Sequence, residues 1–274
     1  MIRNLRPVRL AFLFCAASTA ATVAAPAEAQ GQQQAAGRSA PLAANVDDRL
    51  YAAFLARYVR TSADGINRVA YRQVTSADRA ALKRHLVGLQ AIEVTRLTRP
   101  QQMAYWINLY NAATLDVVLD AWPVSSIKKI DSPILQRGPW GRKVVTVQGR
   151  RLSLDDIEHR ILRPTWRDVR IHYAVNCASL GCPNLAAKPY RAETLQAMLD
   201  EAARAYVNHS RGFARVGGKL VASNIYSWYH KDWGSEAAVL AHARKYANPK
   251  TAALLGQAKS IDDYRYDWSI NAAR

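Results

Sequence analysis

The chain has 274 residues, with 38 Lys and Arg against 21 Asp and Glu for a formal charge of +17, and half of its residues are apolar. That composition excludes a disordered chain. Three cysteines exclude a disulfide scaffold, and the lack of any apolar run of roughly 18 to 20 residues argues against a membrane-spanning helix.

Arg3, Arg6 and Arg9 precede the apolar, small-residue stretch Leu10 to Ala25, and Ala27-Glu28-Ala29 has the small-x-small pattern of a signal peptidase site. This predicts a secretory signal over residues 1–29 and a periplasmic or secreted protein. The stretch is too short and Ala-rich for a retained anchor, and bulky Phe12-Leu13-Phe14 spoils a lipoprotein signal at Cys15. Cleavage leaves 35 basic and 20 acidic residues, a net charge of +15, with Cys177 and Cys182 as the remaining cysteines in an oxidising compartment. Residues 30–45 have almost no large apolar side chain and read as a disordered linker, so one globular domain is expected over 46–274.

In that domain, Leu50, Phe54, Leu55 and Tyr58 recur at helical spacing over Asp47 to Arg60, and Ser76 opens a second helix through Leu82, Leu86 and Leu89. Between them, Asn67 to Val74 reads as a short strand or loop. Thr98 as N-cap with Pro100 in the first turn starts a third helix to about Asp120, apolar on nearly every side and therefore central. Lys143 to Val147 and Arg150 to Leu152 flank Gln148-Gly149 as a hairpin. Ser153 and Asp156 form a capping-box-like start for a helix over Leu154 to Leu162, ended by Pro164. Val169, Ile171, Tyr173 and Val175 alternate with polar or small residues, predicting a strand with one apolar face. A helix over Glu193 to Asn208, with Leu195, Met198, Leu199, Ala202 and Tyr206 inward, is followed by a hairpin around Gly217-Gly218. A Ser223-capped helix through Trp228, a helix over Glu236 to Tyr246 and a strand within Ser260 to Ile270 close the chain. The fold class is α+β, helices packed on a small, mostly antiparallel sheet.

Five words stand out in order. They are Trp106-Ile107-Asn108-Leu109-Tyr110-Asn111-Ala112; Leu154-Asp155-Asp156-Ile157-Glu158-His159 with Leu162-Arg163; Ile171 to Ser179 with Cys182-Pro183; Ser223 to Tyr229 with Asp232; and Tyr266 to Asn271. Together, over roughly Leu97 to Asn271, they resemble domain-of-unknown-function family 547, found in bacterial envelope proteins and in plants. The resemblance implies one such domain behind a short helical lead-in. In the family pattern the positions of Cys177 and His172 are regular, Cys182 is replaceable and His230 lies outside.

The word from His172 to Pro183 carries the strongest chemistry. An apolar segment ends in Asn176-Cys177-Ala178-Ser179, a turn of small residues that can expose a nucleophile beside backbone N–H groups able to hold an oxyanion. The thiol needs a base, and His159 and His172 are nearest in sequence. In an extended strand, five residues separate His172 from Cys177 by about 16 Å, a limit that His159 escapes. Glu158, Asp156, Asp232 or Asn108 could orient the ring. Three other readings stay open: a Cys177–Cys182 disulfide, a zinc site from both cysteines with His159 and His172, and an inert buried thiol.

Asn108 and Asn111, one turn apart on the central helix, either line a cleft or tie that helix to a neighbour. With Asn176 and Ser179 they are substrate-binding candidates. Trp228, Tyr229, Asp232 and Trp233, and then Tyr266, Asp267 and Trp268, form two aromatic-plus-acid groups that could floor a glycan cleft or serve as caps and loop ties, and Asp232 with Asp267 could act as a glycosidase pair. No residue pattern calls for a cofactor. The positive charge favours an anionic envelope polymer or substrate, and the scattered Arg and Lys residues match no nucleic-acid motif. The leading expectation is a cysteine–histidine acyl transferase or hydrolase acting on an amide or thioester. The alternative is a non-catalytic envelope module binding an anionic or glycan partner.

Overall fold

The computed structural model describes residues 47–131, 134–135 and 137–273. The expected signal, Cys15 and the linker lie outside them.

Three helices come first. Helix α1 (Arg49–Tyr58) leads through β1 (Val59–Thr61) and β2 (Asn67–Val69), an antiparallel pair, into α2 (Ser76–Gln90) and α3 (Arg99–Asp120). The N-cap of α2 is Thr75, whose hydroxyl accepts from the Asp78 N–H, so the cap sits one residue before the Ser76 expected from the sequence. Thr98 and Gln101 form a capping box on α3. Sixteen of the 22 residues of α3 are buried, which accounts for a sequence with no polar face.

Strands β3 (Lys143–Val147) and β4 (Arg150–Ser153) form the expected hairpin. The helix after it departs from expectation. Ser153 and Asp156 do cap each other reciprocally, but residues Asp156–Leu162 wind as a π-helix and run directly into α4 (Arg163–Trp166). Pro164 therefore does not end the helix. A widened turn displaces the carbonyl that a proline ring would strike, which lets the helix continue until Arg167 turns left-handed at φ 51°.

The strand expected over 169–176 is not formed. Ile171–Ala174 is a short helix, α5, followed by extended Val175. The alternation that mimicked a strand has a different cause, because consecutive side chains enter two cores. Ile171 and Ala174 pack in the cluster around α1, α2 and α3, whereas Tyr173 packs in a second cluster around the C-terminal helices. With no extended run to hold them apart, His172 and Cys177 face one cavity.

Helix α6 (Leu195–Val207) buries Leu195, Leu199, Ala203, Tyr206 and Val207, with Met198 and Ala202 only partly covered. Strands β5 (Phe213–Val216) and β6 (Lys219–Ser223) pair antiparallel. They are followed by α7 (Asn224–Trp228), capped by Ser223, then α8 (His230–Trp233), α9 (Glu236–Tyr246) and α10 (Pro249–Leu255). Strand β7 (Asp263–Arg265) adds to β6 in parallel. The fold is α+β, with three small sheets among the described residues where the sequence suggested one, all pairs antiparallel except β6–β7.

The segment after β7 laces the molecule together. Backbone bonds join Ile270 to Ser125, Asn271 to Val69 and Ala178, Ser269 to Leu180, and Asp267 to Gly181. Gly181 lies flush against this segment, since a Cβ there would come within 2.7 Å of the Asp267 nitrogen. No helix of the described residues is long and apolar enough to cross a membrane.

Candidate functional site

Cys177 lies between α5 and a tight turn through Ala178, which is buried and left-handed at φ 60°. Asn176 holds that turn. Its side-chain oxygen accepts from the Ala178 N–H at 2.8 Å and its amide donates to the Pro183 carbonyl at 2.6 Å. These bonds offset the roughly 1 kcal/mol or more that a non-glycine residue loses at such a φ, so the turn presents the sulfur in one orientation.

Around the sulfur stand the Cys182 thiol at 2.7 Å, the Tyr266 hydroxyl at 3.1 Å and the Ser179 hydroxyl at 3.5 Å. The two sulfurs touch without being bonded, so the disulfide considered from the sequence stays within reach of this pair. Burial pushes the Cys177 thiol up, but donors from Cys182, Ser179 and Tyr266 outweigh it and bring it down to about 7. Burial and the adjacent Cys177 sulfur push Cys182 far the other way. Cys177 is thus the sulfur that ionises, and Cys182 stays protonated as its donor.

The cavity at Cys177 has a volume of about 180 Å³, and Glu158, His159, His172, Trp228 and Tyr266 all line it. His172 is 3% exposed, sandwiched between Tyr229 at 4.2 Å and Trp233 at 5.1 Å between ring centroids. Its Nε2 lies 2.7 Å from Asp232, which also receives two bonds from Arg163 at 2.7 and 2.9 Å. The His172 ring and Arg163 hold the Asp232 carboxyl well below the usual range, so it is a carboxylate with no proton to give. Nε2 therefore donates, and in the neutral ring Nδ1 carries the lone pair. Nδ1 is buried and has no hydrogen-bond partner among the described residues.

His159 is differently placed. It is more exposed and lies on the π-helix, with Nδ1 3.0 Å from Arg163 and Nε2 3.5 Å from Asp155. Asp155 raises its proton affinity. Both of its nitrogens are engaged, which leaves His172 as the ring with a free lone pair. Glu158 is buried and orients neither nitrogen of His172; that position belongs to Asp232. Glu158 instead faces Tyr229, whose hydroxyl is pushed up by burial and then by this carboxylate.

Several expectations require correction. Asn108 and Asn111 do not line this cavity. Asn108 exchanges two hydrogen bonds with the Tyr190 backbone, and Asn111 bonds the Ala174 carbonyl and the Asn176 N–H. Both amides are spent as clamps that fix the ends of the cysteine segment to α3. The backbone N–H groups expected to hold an oxyanion are also largely taken. Those of Ala178, Leu180, Gly181 and Cys182 donate to Asn176, Ser269, Asp267 and Ser179, and that of Cys177 points at the Cys182 sulfur. Asp267 caps its own turn through the Ser269 N–H, and neither it nor Asp232 lines the cavity, so no glycosidase pair is assembled. Among the described residues, no three His, Cys, Asp or Glu side chains are gathered as metal ligands.

Trp228 is 45% exposed at the cavity mouth and packs with Tyr266 and Trp268 at 4.8 and 5.4 Å. Sequence reasoning assigned no role to Arg163, to Tyr266 as a partner of the sulfur, or to Tyr229 as the plate under His172. Arg163 and Tyr266 do fall within the segments that resemble the family, next to Leu162 and Asp267.

No curated protein and no solved structure matches the chain. Residues 94–207, with α3, the π-helix, His172 and both cysteines, match the family described as "Protein of unknown function, DUF547". Asp232 and Tyr266, which complete the site, lie beyond that segment. Over those residues the chain is similar to that family.

Proposed function

We propose that the protein is an exported cysteine-dependent acyl transferase or hydrolase acting on an amide or thioester. The observation that carries this reading is the unpartnered Nδ1 of His172, a ring fixed by Asp232 on the wall of the cavity that holds Cys177. The two are not in direct hydrogen-bond contact, so the Cys177 proton passes to that nitrogen through one intervening water, and the thiolate attacks the carbonyl carbon to form a carbon–sulfur bond. The leaving amine or thiol departs with the proton from His172. Water or an acceptor nucleophile, deprotonated by the same ring, then releases the acyl group from Cys177. Asp232 keeps the ring in the required tautomer and balances its charge while it is protonated. Because the backbone donors of the turn are occupied, the Tyr266 hydroxyl, 3.1 Å from the sulfur, is the side-chain donor suited to a developing oxyanion.

Turnover of a panel of thioesters and activated esters tests this. Cys177→Ala abolishes turnover while the fold is retained, and His172→Gln lowers kcat by about 10² to 10⁴-fold. An active Cys177→Ala protein overturns the assignment. The signal over residues 1–29 predicts that protein recovered from the periplasm or medium starts after Ala29, which intact mass checks.

A second reading, a non-catalytic envelope module, is supported by the exposed Trp228 and its aromatic neighbours. It is favoured if Trp228→Ala abolishes binding of an anionic or neutral oligosaccharide while Cys177→Ala changes nothing.

A further inference from the structure

On the far side of His159 from the cysteine cavity is a second recess of about 400 Å³, and His159 lines both. Its other charged walls are Arg163, Arg167, Asp168, Lys231 and Asp232. The charges do not cancel. Asp232 is taken by Arg163 and His172, and Asp168 by Arg170, which binds it at 2.6 Å from outside the recess. Arg167 and Lys231 have no carboxylate within ion-pair distance among the described residues. Two free cations thus face one hollow that shares a wall with the candidate active site.

Arg167 carries a second indication. It ends α4 in the left-handed region at φ 51°, where glycine is the residue of least cost, and the chain places its longest cation there. Its side chain lines the recess. Arg163 meanwhile lies 4.8 Å over the Tyr229 ring, which in turn stacks on His172, so the recess floor and the catalytic ring are one packed unit.

We infer that this recess binds an oxyanion on the substrate, so that the preferred acyl donor carries a carboxylate or a phosphoryl group close to the bond that is cut. The word "substrate" rests on the reading of Cys177 as the nucleophile; the oxyanion site itself does not. Arg167 and Lys231 hold the anion by charge-assisted bonds, which fixes the acyl carbon toward Cys177 and excludes neutral donors of the same length.

Two measurements on the full exported protein separate these layers. In the first, inorganic phosphate and succinate are each titrated into the protein at low salt and followed by calorimetry and by the His159 ring resonances. Saturable binding of either anion that weakens by about tenfold or more in Arg167→Ala/Lys231→Ala, and further in Lys231→Glu, upholds the site. Response to succinate alone assigns a carboxylate, and response to phosphate alone a phosphoryl group. Absence of binding by both, or binding that persists in the double variant, overturns it.

In the second, 4-nitrophenyl acetate is compared with the 4-nitrophenyl monoester of succinic acid. The anionic ester has the lower KM by about tenfold, the advantage vanishes in the double variant with kcat for the acetate ester unchanged, and it shrinks in 0.5 M salt. Equal KM values for both esters count against the role in substrate selection. Failure of both esters to turn over in a Cys177-dependent way sinks the cysteine mechanism instead, and the anion titration still decides the recess.

Discussion

Cys177 has three hydrogen-bonding groups within 3.5 Å of its sulfur, and only one of them, the Tyr266 hydroxyl, comes from a distant part of the chain. This makes a sharp expectation for reactivity. Alkylation of Cys177 by iodoacetamide should rise with pH through a midpoint near 7, while Cys182 reacts far more slowly. Tyr266→Phe removes one donor to the thiolate and should move that midpoint up by about one pH unit. A midpoint at the ordinary thiol value, or one indifferent to Tyr266, contradicts the geometry. Asp232 invites a second experiment. Its carboxyl is held low by His172 and Arg163, so its contribution to stability is complete above the unfolded carboxylate value of about 3.9 and is lost as the pH falls below it. Asp232→Ala leaves a buried ring and a guanidinium unpaired and should cost about 1 to 3 kcal/mol at pH 7, measured by urea unfolding, with the deficit narrowing toward pH 3. Cys177 could be singled out in the sequence because it follows an apolar segment in a turn of small residues, but the choice between His159 and His172 as its partner could not be made there. Which carboxylate meets His172 was not legible either, since 60 positions separate it from Asp232 and no local periodicity encodes a contact across that span.

Helix α3 shows how an element positions a site it does not line. Its two buried amides each satisfy two backbone groups, Asn108 at Tyr190 and Asn111 at Ala174 and Asn176, on either side of the cysteine turn. Asn111→Ala should therefore lower stability by about 2 to 4 kcal/mol and, in the folded fraction, slow alkylation of Cys177, whereas a substitution on the exposed face of α2 such as Val87→Ala should do neither. Calorimetry beside mass-resolved alkylation distinguishes the two effects. The existence of α1, α2, α3, α9 and the β3–β4 and β5–β6 hairpins, and the Thr98 cap of α3, could be read from periodicity and turn residues, whereas the α2 cap lay one residue earlier and α1 was shorter than expected. Two elements could not be read. A period-two pattern over 169–176 marked a segment wedged between two cores, where alternate side chains have different destinations without a neighbouring strand. The π-helix at Asp156–Leu162 differs from an α-helix by one residue in its hydrogen-bond spacing, too little for apolar spacing to reveal over seven residues, and Pro164 pointed to an end that the widened turn avoids.

At the scale of the whole molecule, the α+β class was legible because strong amphipathic helices alternate with short Gly-centred hairpins. The partition into three small sheets was not, as it depends on pairings such as β6 with β7 that join segments far apart. Two histidines bear on global stability. His85, stacked on Tyr51, and His242, stacked on Tyr173, are both lowered to about 4, chiefly by burial. They remain neutral in the folded state below the value of about 6.5 at which the unfolded chain takes up protons. Their contribution is thus whole above pH 6.5 and declines toward pH 4. Urea midpoints should fall over that window, ahead of the carboxylate losses, and His85→Phe should make the fall shallower across the whole of it. An unchanged midpoint from pH 7 to 4.5 contradicts this.

The lacing of residues 266–271 onto the cysteine turn also sets an order of events. The left-handed turn at Ala178 obtains its Asn271 and Ser269 partners, and the thiolate its Tyr266 donor, only once a segment some 90 residues downstream has been made and has folded back. A chain that still lacks this segment therefore holds Cys177 as an ordinary, sluggish thiol. Its reactivity switches on only when folding is complete.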